Sequence, residues 1–443
     1  MRTPIYDFVK DYSQKNVSRF HMPGHKGNCF LGCEKSDITE IDGADVLYSA
    51  EGIINESEEN ATSLFSSLHS FYSTEGSTLC IKAMLTLICK HTDGRPLILA
   101  ARNVHKAFVY AAALLDFDTE WMYPEEESHL CKCIITKKRL EEYILSAKRK
   151  PDAVYITSPD YLGSIADIRG FSEVCDKYDI PLLVDNAHGA YLRFLPESIH
   201  PISLGATMCC DSAHKTLPVL TGGAYLHLSH KAEKYLPDAR EALSLHASTS
   251  PSYLIMQSLD LCNAYLSDGF TQKLQKTSSL LEDLKASLKS KGIEASQNEP
   301  LKLTLLPLSY GYTGTEICEL MKEKEIYCEF YDRDVLVLMA TPENSENDFS
   351  KLHELFENLE RRAPKKPSPM FRISQNKSAL SIRQAMLHKS ETVPTEKAIG
   401  RICAEPSVSC PPAVPICISG EIITEETAKA FLYYGFKEIR VIK

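Results

Sequence analysis

Long apolar runs are missing from this chain. No stretch approaches the ~20 residues that a bilayer-spanning helix needs. The opening residues, Met1-Arg2-Thr3-Pro4-Ile5-Tyr6-Asp7, lack the apolar core of a signal peptide. A membrane protein and an exported one are therefore both unexpected. A basic excess is missing too: 49 Lys and Arg against 59 Asp and Glu leave a formal net charge of −10, the wrong sign for neutralising nucleic-acid phosphates. Cysteine is too sparse for a disulfide scaffold. Fifteen in 443 residues, an odd number, read more simply as the reduced thiols of a cytoplasmic protein. No GxGxxG follows a strand-like run, so a dinucleotide site lacks its fingerprint. Internal repeats and low-complexity tracts are absent as well.

What is present is alternation. Residues 4–12 carry Ile5, Phe8, Val9 and Tyr12 at helical spacing, and residues 57–71 also read as a helix. Ser73-Thr74-Glu75-Gly76-Ser77-Thr78 then forms a turn into a helix over 79–90. From there strands are expected over 96–100, 119–122, 152–157 and 180–185, separated by helices over 104–115, 137–148 and 171–178. Strand and helix in turn imply a mostly parallel sheet with right-handed crossovers, whose ligands gather outside the carboxyl ends of the strands. Beyond residue 293 the pattern changes to a βαββα order, the mark of a smaller α+β domain. A Pro-rich linker at 363–369 and a proline segment, Cys410-Pro411-Pro412-Ala413-Val414-Pro415, follow before a last helix over 424–434.

Chemistry-bearing residues fall at the strand ends. The run 180–184 ends in Asp185, followed by Asn186-Ala187-His188-Gly189, and the run 207–211 is followed by Ser212-Ala213-His214-Lys215. An acid at one strand end and a lysine just beyond another suit a pyridoxal phosphate (PLP) enzyme, in which the lysine forms a Schiff base and the acid keeps a proton on the pyridine nitrogen. The Gly76-Ser77-Thr78 turn at a helix start offers N–H groups and hydroxyls to a phosphate, although a plain N-cap is the commoner use of such a turn. His21, His25, Cys29 and Cys33 recur every four residues, as metal ligands on a helix would. Pro23, Gly24 and Gly27 break any such helix, so no metal site is expected.

Taken together, these motifs resemble the Orn/Lys/Arg decarboxylases, in the short form without an N-terminal wing domain. The resemblance is carried by His21-Met22-Pro23-Gly24-His25-Lys26-Gly27, Gly76-Ser77-Thr78, Arg102-Asn103-Val104-His105-Lys106, Thr157-Ser158-Pro159, Asp185-Asn186-Ala187-His188-Gly189, Ser212-Ala213-His214-Lys215-Thr216, Ser248-Thr249-Ser250-Pro251, Gly400-Arg401-Ile402-Cys403-Ala404-Glu405 and Pro411-Pro412-Ala413-Val414-Pro415. It implies an α/β fold of the PLP-dependent fold type I. An N-terminal segment (1–70) would contribute to the active site, a large PLP-binding domain (71–291) would carry the mostly parallel sheet, and a small α+β domain (292–443) would follow.

The resemblance also implies roles. Lys215 becomes the Schiff-base lysine and Asp185 the partner of the pyridine nitrogen, with His214 and His188 as further catalytic residues. His105 would stack on the cofactor ring, Ser77, Thr78, Ser212 and Ser158 would bind the cofactor, and Glu405 would meet the cationic end of the substrate. The implied activity is decarboxylation of arginine, lysine or ornithine to the corresponding amine. A homodimer or higher homo-oligomer with its active site at the interface is expected, with the Ser248-Thr249-Ser250 loop reaching the neighbour's phosphate. Asn186 stands where relatives often have Glu, and Asp160 and Ala413 are further departures. A lyase, cyclase or aminotransferase on an arginine-like substrate remains an alternative, as does a catalytically silent PLP-fold protein, because fold and cofactor do not fix the reaction.

Overall fold

The computed structural model describes residues 1–126, 129–296, 299–367, 375–406 and 413–443. Its strands are β1 (His69–Ser73), β2 (Leu97–Ala101), β3 (Asp118–Met122), β4 (Ala153–Thr157), β5 (Leu182–Asp185), β6 (Met208–Asp211), β7 (Ala224–Leu228), β8 (Glu294–Ser296), β9 (Lys302–Leu306), β10 (Phe330–Tyr331), β11 (Leu336–Met339), β12 (Ser390–Pro394) and β13 (Glu438–Ile442). The chain divides into two units. One holds residues 1–96, 152–156 and 168–272, and the other holds 97–151, 157–167 and 273–443. This partition interleaves the chain, whereas the expected boundaries at 70/71 and 291/292 were sequential.

In the first unit the strands lie in the order β1-β7-β6-β5-β4. β5 and β6 are parallel, with Asp185 beside Cys210, and β7 is the reversed strand, antiparallel to both β6 and β1. Every residue of β5, β6 and β7 is buried, the burial expected of strands covered on both faces. The helix Gly76–Lys90 packs on β6 and β7, and the helix Ile168–Lys177 packs on β5.

One expected element changes identity here. Residues 57–71 are a helix only as far as Phe65 (Ile53–Phe65), and β1 begins four residues later. Ser66 takes a left-handed backbone (φ 52°), and Leu68 then donates to the carbonyl of Leu228 at 2.7 Å. Phe65, Leu68 and Phe71 are three apart, so helical periodicity runs unbroken through a segment that pairing with β7 makes extended.

Asp260, on the helix Tyr253–Ser267, ties the helices of this unit together. Its Oδ2 accepts from the N–H groups of Ile5 and Tyr6 at 2.9 Å, and its Oδ1 accepts from Ser57 Oγ at 2.5 Å. The helix Pro4–Gln14 has no side-chain cap of its own, so a carboxylate remote in sequence satisfies two of its orphan donors.

The second unit contains the parallel pair β2–β3, joined through the helix Lys106–Leu115, and a four-stranded sheet in the order β10-β11-β9-β8. Its core gathers Leu284 and Leu288 with Leu303, Leu305, Ile317, Met321, Leu336 and Phe356. The expected βαββα order is present, with β8 added at the sheet edge. A further antiparallel pair, β12–β13, covers a separate cluster around Cys417, Phe431 and Val441. Neither strand was expected, because Ser-Glu-Thr-Val-Pro alone has little strand character and its partner lies more than 40 residues on. Of the Pro-rich linker, residues 363–367 are described and Ser368 and Pro369 are not; Lys365 there bonds both carboxylate oxygens of Glu316. Cys410, Pro411 and Pro412 also lie outside the described residues. All fourteen cysteines among the described residues are free thiols. No helix among them is long and apolar enough to cross a membrane.

Burial raises the Asp260 carboxyl from 3.8 to about 6, against the bonds from Ser57, Tyr6 and Ile5, which pull it down. Between these two values the folded state binds more protons than the unfolded one, so stability falls as pH rises through that window. Asp260→Asn should flatten this dependence, as measured by urea unfolding at pH values across the window.

Candidate active site

The carboxyl ends of β5 and β6 emerge side by side in the first unit, and each delivers a functional side chain. Asp185 is the last residue of β5 and is 2% exposed. Its Oδ2 accepts from Tyr155 Oη at 3.3 Å, and its Oδ1 accepts from the N–H of Ala187 at 3.3 Å and faces Cys210 Sγ at 3.7 Å. Burial pushes its pKa up, while the Lys215 charge and these hydrogen bonds pull the other way. A carboxylate in this position gains from a cation brought beside it.

Lys215 lies in the short helix Ala213–Thr216 that follows β6. Its Nζ is 3.1 Å from Nε2 of His188, which rises from the turn after Asp185. The adjacent His214 places its Nδ1 2.9 Å from the carbonyl of Gly223. Only an Nδ1–H can bond a carbonyl, so in the neutral ring Nε2 is the basic nitrogen. Burial pushes the His214 pKa down, and the Lys215 charge adds to that.

A third element supplies an anion cradle. The helix Gly76–Lys90 begins after Glu75, whose side chain makes no cap bond; the N–H of Gly76 donates to the carbonyl of Gly222 at 2.7 Å, so the N–H groups of the residues after it are the ones suited to an anion. Gly76 sits at φ +72° with open space where a Cβ would be, a conformation that favours glycine. Ser77 and Thr78 are the next two residues of this helix, and Ser77 Oγ accepts from Ser212 Oγ at 2.8 Å. Segments far apart in sequence thus place a lysine amine, a buried carboxylate and a hydroxyl-lined helix start in one unit.

Three expected residues belong to the second unit. His105 is the N-cap of the helix Lys106–Leu115, where its Nδ1 accepts from the N–H of Ala107 at 3.1 Å. Ser158 is buried, and its Oγ accepts from the N–H of Ala166 at 3.0 Å. Glu405 bonds Arg440 Nη1 at 3.0 Å and, with Lys106, Tyr110, Glu438 and Arg440, lines a cavity of about 330 Å³.

Two groups escaped sequence reading. Tyr155 and Cys210, which bond Asp185, sit within apolar strand runs that mark them only as core. His200 and His227 both reach Asp211, the last residue of β6, at 3.0 and 3.2 Å. His200, Cys209 and Asp211 lie close enough to hold a metal ion. However, the N–H of Ile202 donates to His200 Nδ1 at 3.3 Å, which leaves the proton on Nε2 and makes that nitrogen a donor to Asp211 rather than a ligand. His21 and His25, in the stretch considered for a metal, instead bond Tyr12 at 2.6 Å and Asp37 at 3.2 Å.

The fold, the strand-end acid and the lysine of the following turn define a class, the PLP-dependent enzymes of fold type I, and the uncapped helix start and open Gly76 fit the phosphate of that cofactor. Within the class, the chain belongs to the Orn/Lys/Arg decarboxylase family. The model of the family's major domain matches residues 3–305, and that of its C-terminal domain matches residues 366–439. The uncharacterized protein YaaO of Bacillus subtilis is 31% identical over 97% of this chain and 93% of its own length. An arginine decarboxylase of the same organism is 28% identical over 99% and 94%. Among solved structures, the lysine decarboxylase LdcF of Francisella novicida shares the fold, with a TM-score of 0.82 at 18% identity, covering 100% of this chain and 81% of that one. The protein is an amino-acid decarboxylase, a carboxy-lyase.

Hydrogen bonds to a charged group contribute about 1.5–3 kcal/mol each. Ser77→Ala combined with Ser212→Ala should therefore weaken PLP retention by at least about tenfold, as read by fluorescence titration of the apoprotein.

Proposed function

We propose that this protein decarboxylates a basic amino acid with PLP as its cofactor. The observation that carries this reading is the 3.1 Å contact between Lys215 Nζ and His188 Nε2, beside the buried carboxylate of Asp185. Arginine is the first substrate to test, because relatives aligned along nearly the whole chain bear the name arginine decarboxylase.

Lys215 would hold the cofactor covalently through Nζ, and Asp185 would keep a proton on its ring nitrogen. Ser77, Thr78, Ser212 and the N–H groups at the start of the helix Gly76–Lys90 would take its phosphate. When bound, PLP supplies the electron sink that accepts the pair released as the C–CO2 bond breaks. The chain's own residues set up that event. His188 orients the Lys215 amine, and His214, kept neutral by burial, would hold or pass the proton that replaces CO2 on Cα. His105 and Ser158 are assigned to the cofactor, and Glu405 to the cationic end of the substrate, on the strength of their motifs. For Glu405 this role means sharing or giving up Arg440.

A homodimer is also proposed. Phe20, Phe30 and Leu31 are 97%, 81% and 89% exposed, large apolar side chains that a second copy would cover. The Ser248-Thr249-Ser250 loop is exposed too and so accessible to a second copy. The free thiols agree with a cytoplasmic location.

Mass spectrometry of products from separate incubations with arginine, lysine and ornithine tests the reaction. Agmatine, cadaverine or putrescine should appear with the intact protein and not with Lys215→Ala. Asp185→Ala should lose far more turnover than cofactor. If all three substrates are returned unchanged by a PLP-loaded protein, the proposed reaction is wrong. Sedimentation should show a dimer that Phe20→Asp combined with Phe30→Asp dissociates.

A further inference from the structure

We propose that Asp211 is a positioning residue of the active site, holding the Asp185–Gly189 turn in place through the side chain of Asn186. The proposal rests on the roles given above to Asp185, His188 and Lys215, and it concerns a residue that carries none of those roles itself.

Asp211 is completely buried, and both of its carboxylate oxygens are engaged. Oδ1 accepts from Asn186 Nδ2 at 2.6 Å, and Oδ2 accepts from His200 Nε2 at 3.0 Å and His227 Nε2 at 3.2 Å. Behind His227, its Nδ1 meets Ser70 Oγ at 2.7 Å, and Ser70 meets Ser67 at 2.7 Å. Three N–H donors converge on one side chain from two directions. A carboxylate can accept all three, whereas an amide has a single acceptor oxygen.

Asn186 is the residue through which this acts. It directly follows Asp185, donates its backbone N–H to Cys210 O at 3.0 Å, and accepts from the N–H of Gly189 at 2.8 Å. Its Oδ1 lies so close over Gly189 that a Cβ there would come within 2.1 Å of it. The turn is thus closed around the Asn186 side chain, whose direction Asp211 sets. His188, from the same turn, reaches Lys215 at 3.1 Å, and Lys215 follows Asp211 by four residues. Asp211 therefore joins the segment bearing Asp185 and His188 to the segment bearing Lys215. A small displacement of such groups, on the order of 1 Å, costs about a hundredfold in rate.

An exchange of residue types tests the proposal. Asn186→Asp sets two carboxylates at hydrogen-bonding distance and should lower PLP affinity and turnover about a hundredfold. The double variant, Asn186→Asp with Asp211→Asn, restores every bond with the amide and carboxylate exchanged. The new amide oxygen faces both histidines, and its N–H faces residue 186. Both properties should return to within about tenfold of the wild type, because the partners are coupled. A well-folded double variant no better than Asn186→Asp overturns the proposal. If Asn186→Asp does not fold, Asn186→Ala replaces it. That variant should speed amide hydrogen exchange of residues 187–189 in the apoprotein and change the visible absorption of bound PLP, with little change in melting temperature. Unchanged exchange and an unchanged spectrum would overturn the proposal while leaving the decarboxylase reading intact. Faster exchange in a protein whose wild type binds no PLP would support the anchor and refute the cofactor reading.

Discussion

Desolvation of carboxylates at the ends of adjacent parallel strands is the constraint around which the first unit is built. Asp185 and Asp211 are both removed from water, yet their surroundings act in opposite senses. Burial pushes the Asp185 pKa up, leaving an acid whose charge is favoured by a cation placed beside it. Burial acts on Asp211 as well, but His200 and His227 outweigh it and hold that carboxyl well below the usual range. One acid thus keeps a raised pKa that a neighbouring cation would lower, and the other is satisfied within the protein.

This difference explains why the site can be both polar and rigid. An unpartnered buried charge costs several kcal/mol, so a chain that buries two acids so near each other must supply partners for each. Asn186, Tyr155, Cys210 and the two histidines are those partners, and each comes from a different strand, turn or loop of the first unit. Lys215 and His188 then meet across a frame that is already hydrogen-bonded. The start of the helix Gly76–Lys90 shows the opposite sign: it has no side-chain cap, and the positive end of a helix suits an anion.

The second unit buries charge in its own way. Arg102 is fully buried, donates to the carbonyls of Pro415 and Ile416 at 2.8 and 3.1 Å, and lies 3.7 Å from Glu421. Lys302 and Glu299 pair at 2.6 Å, both 1% exposed, and Lys302 also reaches the carbonyl of Asp160 at 3.3 Å. The loop that follows Ser158 is therefore fastened to β9 by a hydrogen bond from the buried Lys302 ammonium. Thr304 adds a further bond, to the carbonyl of Leu162 at 2.8 Å.

Short-range pattern was enough to reveal the strand-helix alternation, the strand-end placement of Asp185 and Lys215, and the helix-start placement of Gly76-Ser77-Thr78, because burial period and turn chemistry are written in neighbouring residues. It also allowed the family to be recognised from separated motifs. It failed at residues 69–73, where helical spacing is accidental and pairing with β7 decides the conformation. It failed again at β12 and β13, whose strand character exists only in their pairing. The partners of Asp185 and Asp211 were out of reach for the same reason. Tyr155, His200 and His227 look like core residues in the sequence, and their roles arise from hydrogen bonds between side chains 11 to 30 residues apart. The sequence by itself determined the family and which residue types stand at the strand ends. Only the tertiary structure decided which of them share a hydrogen bond, because a carboxylate's state depends on the donors and the solvent that folding brings to it or takes away.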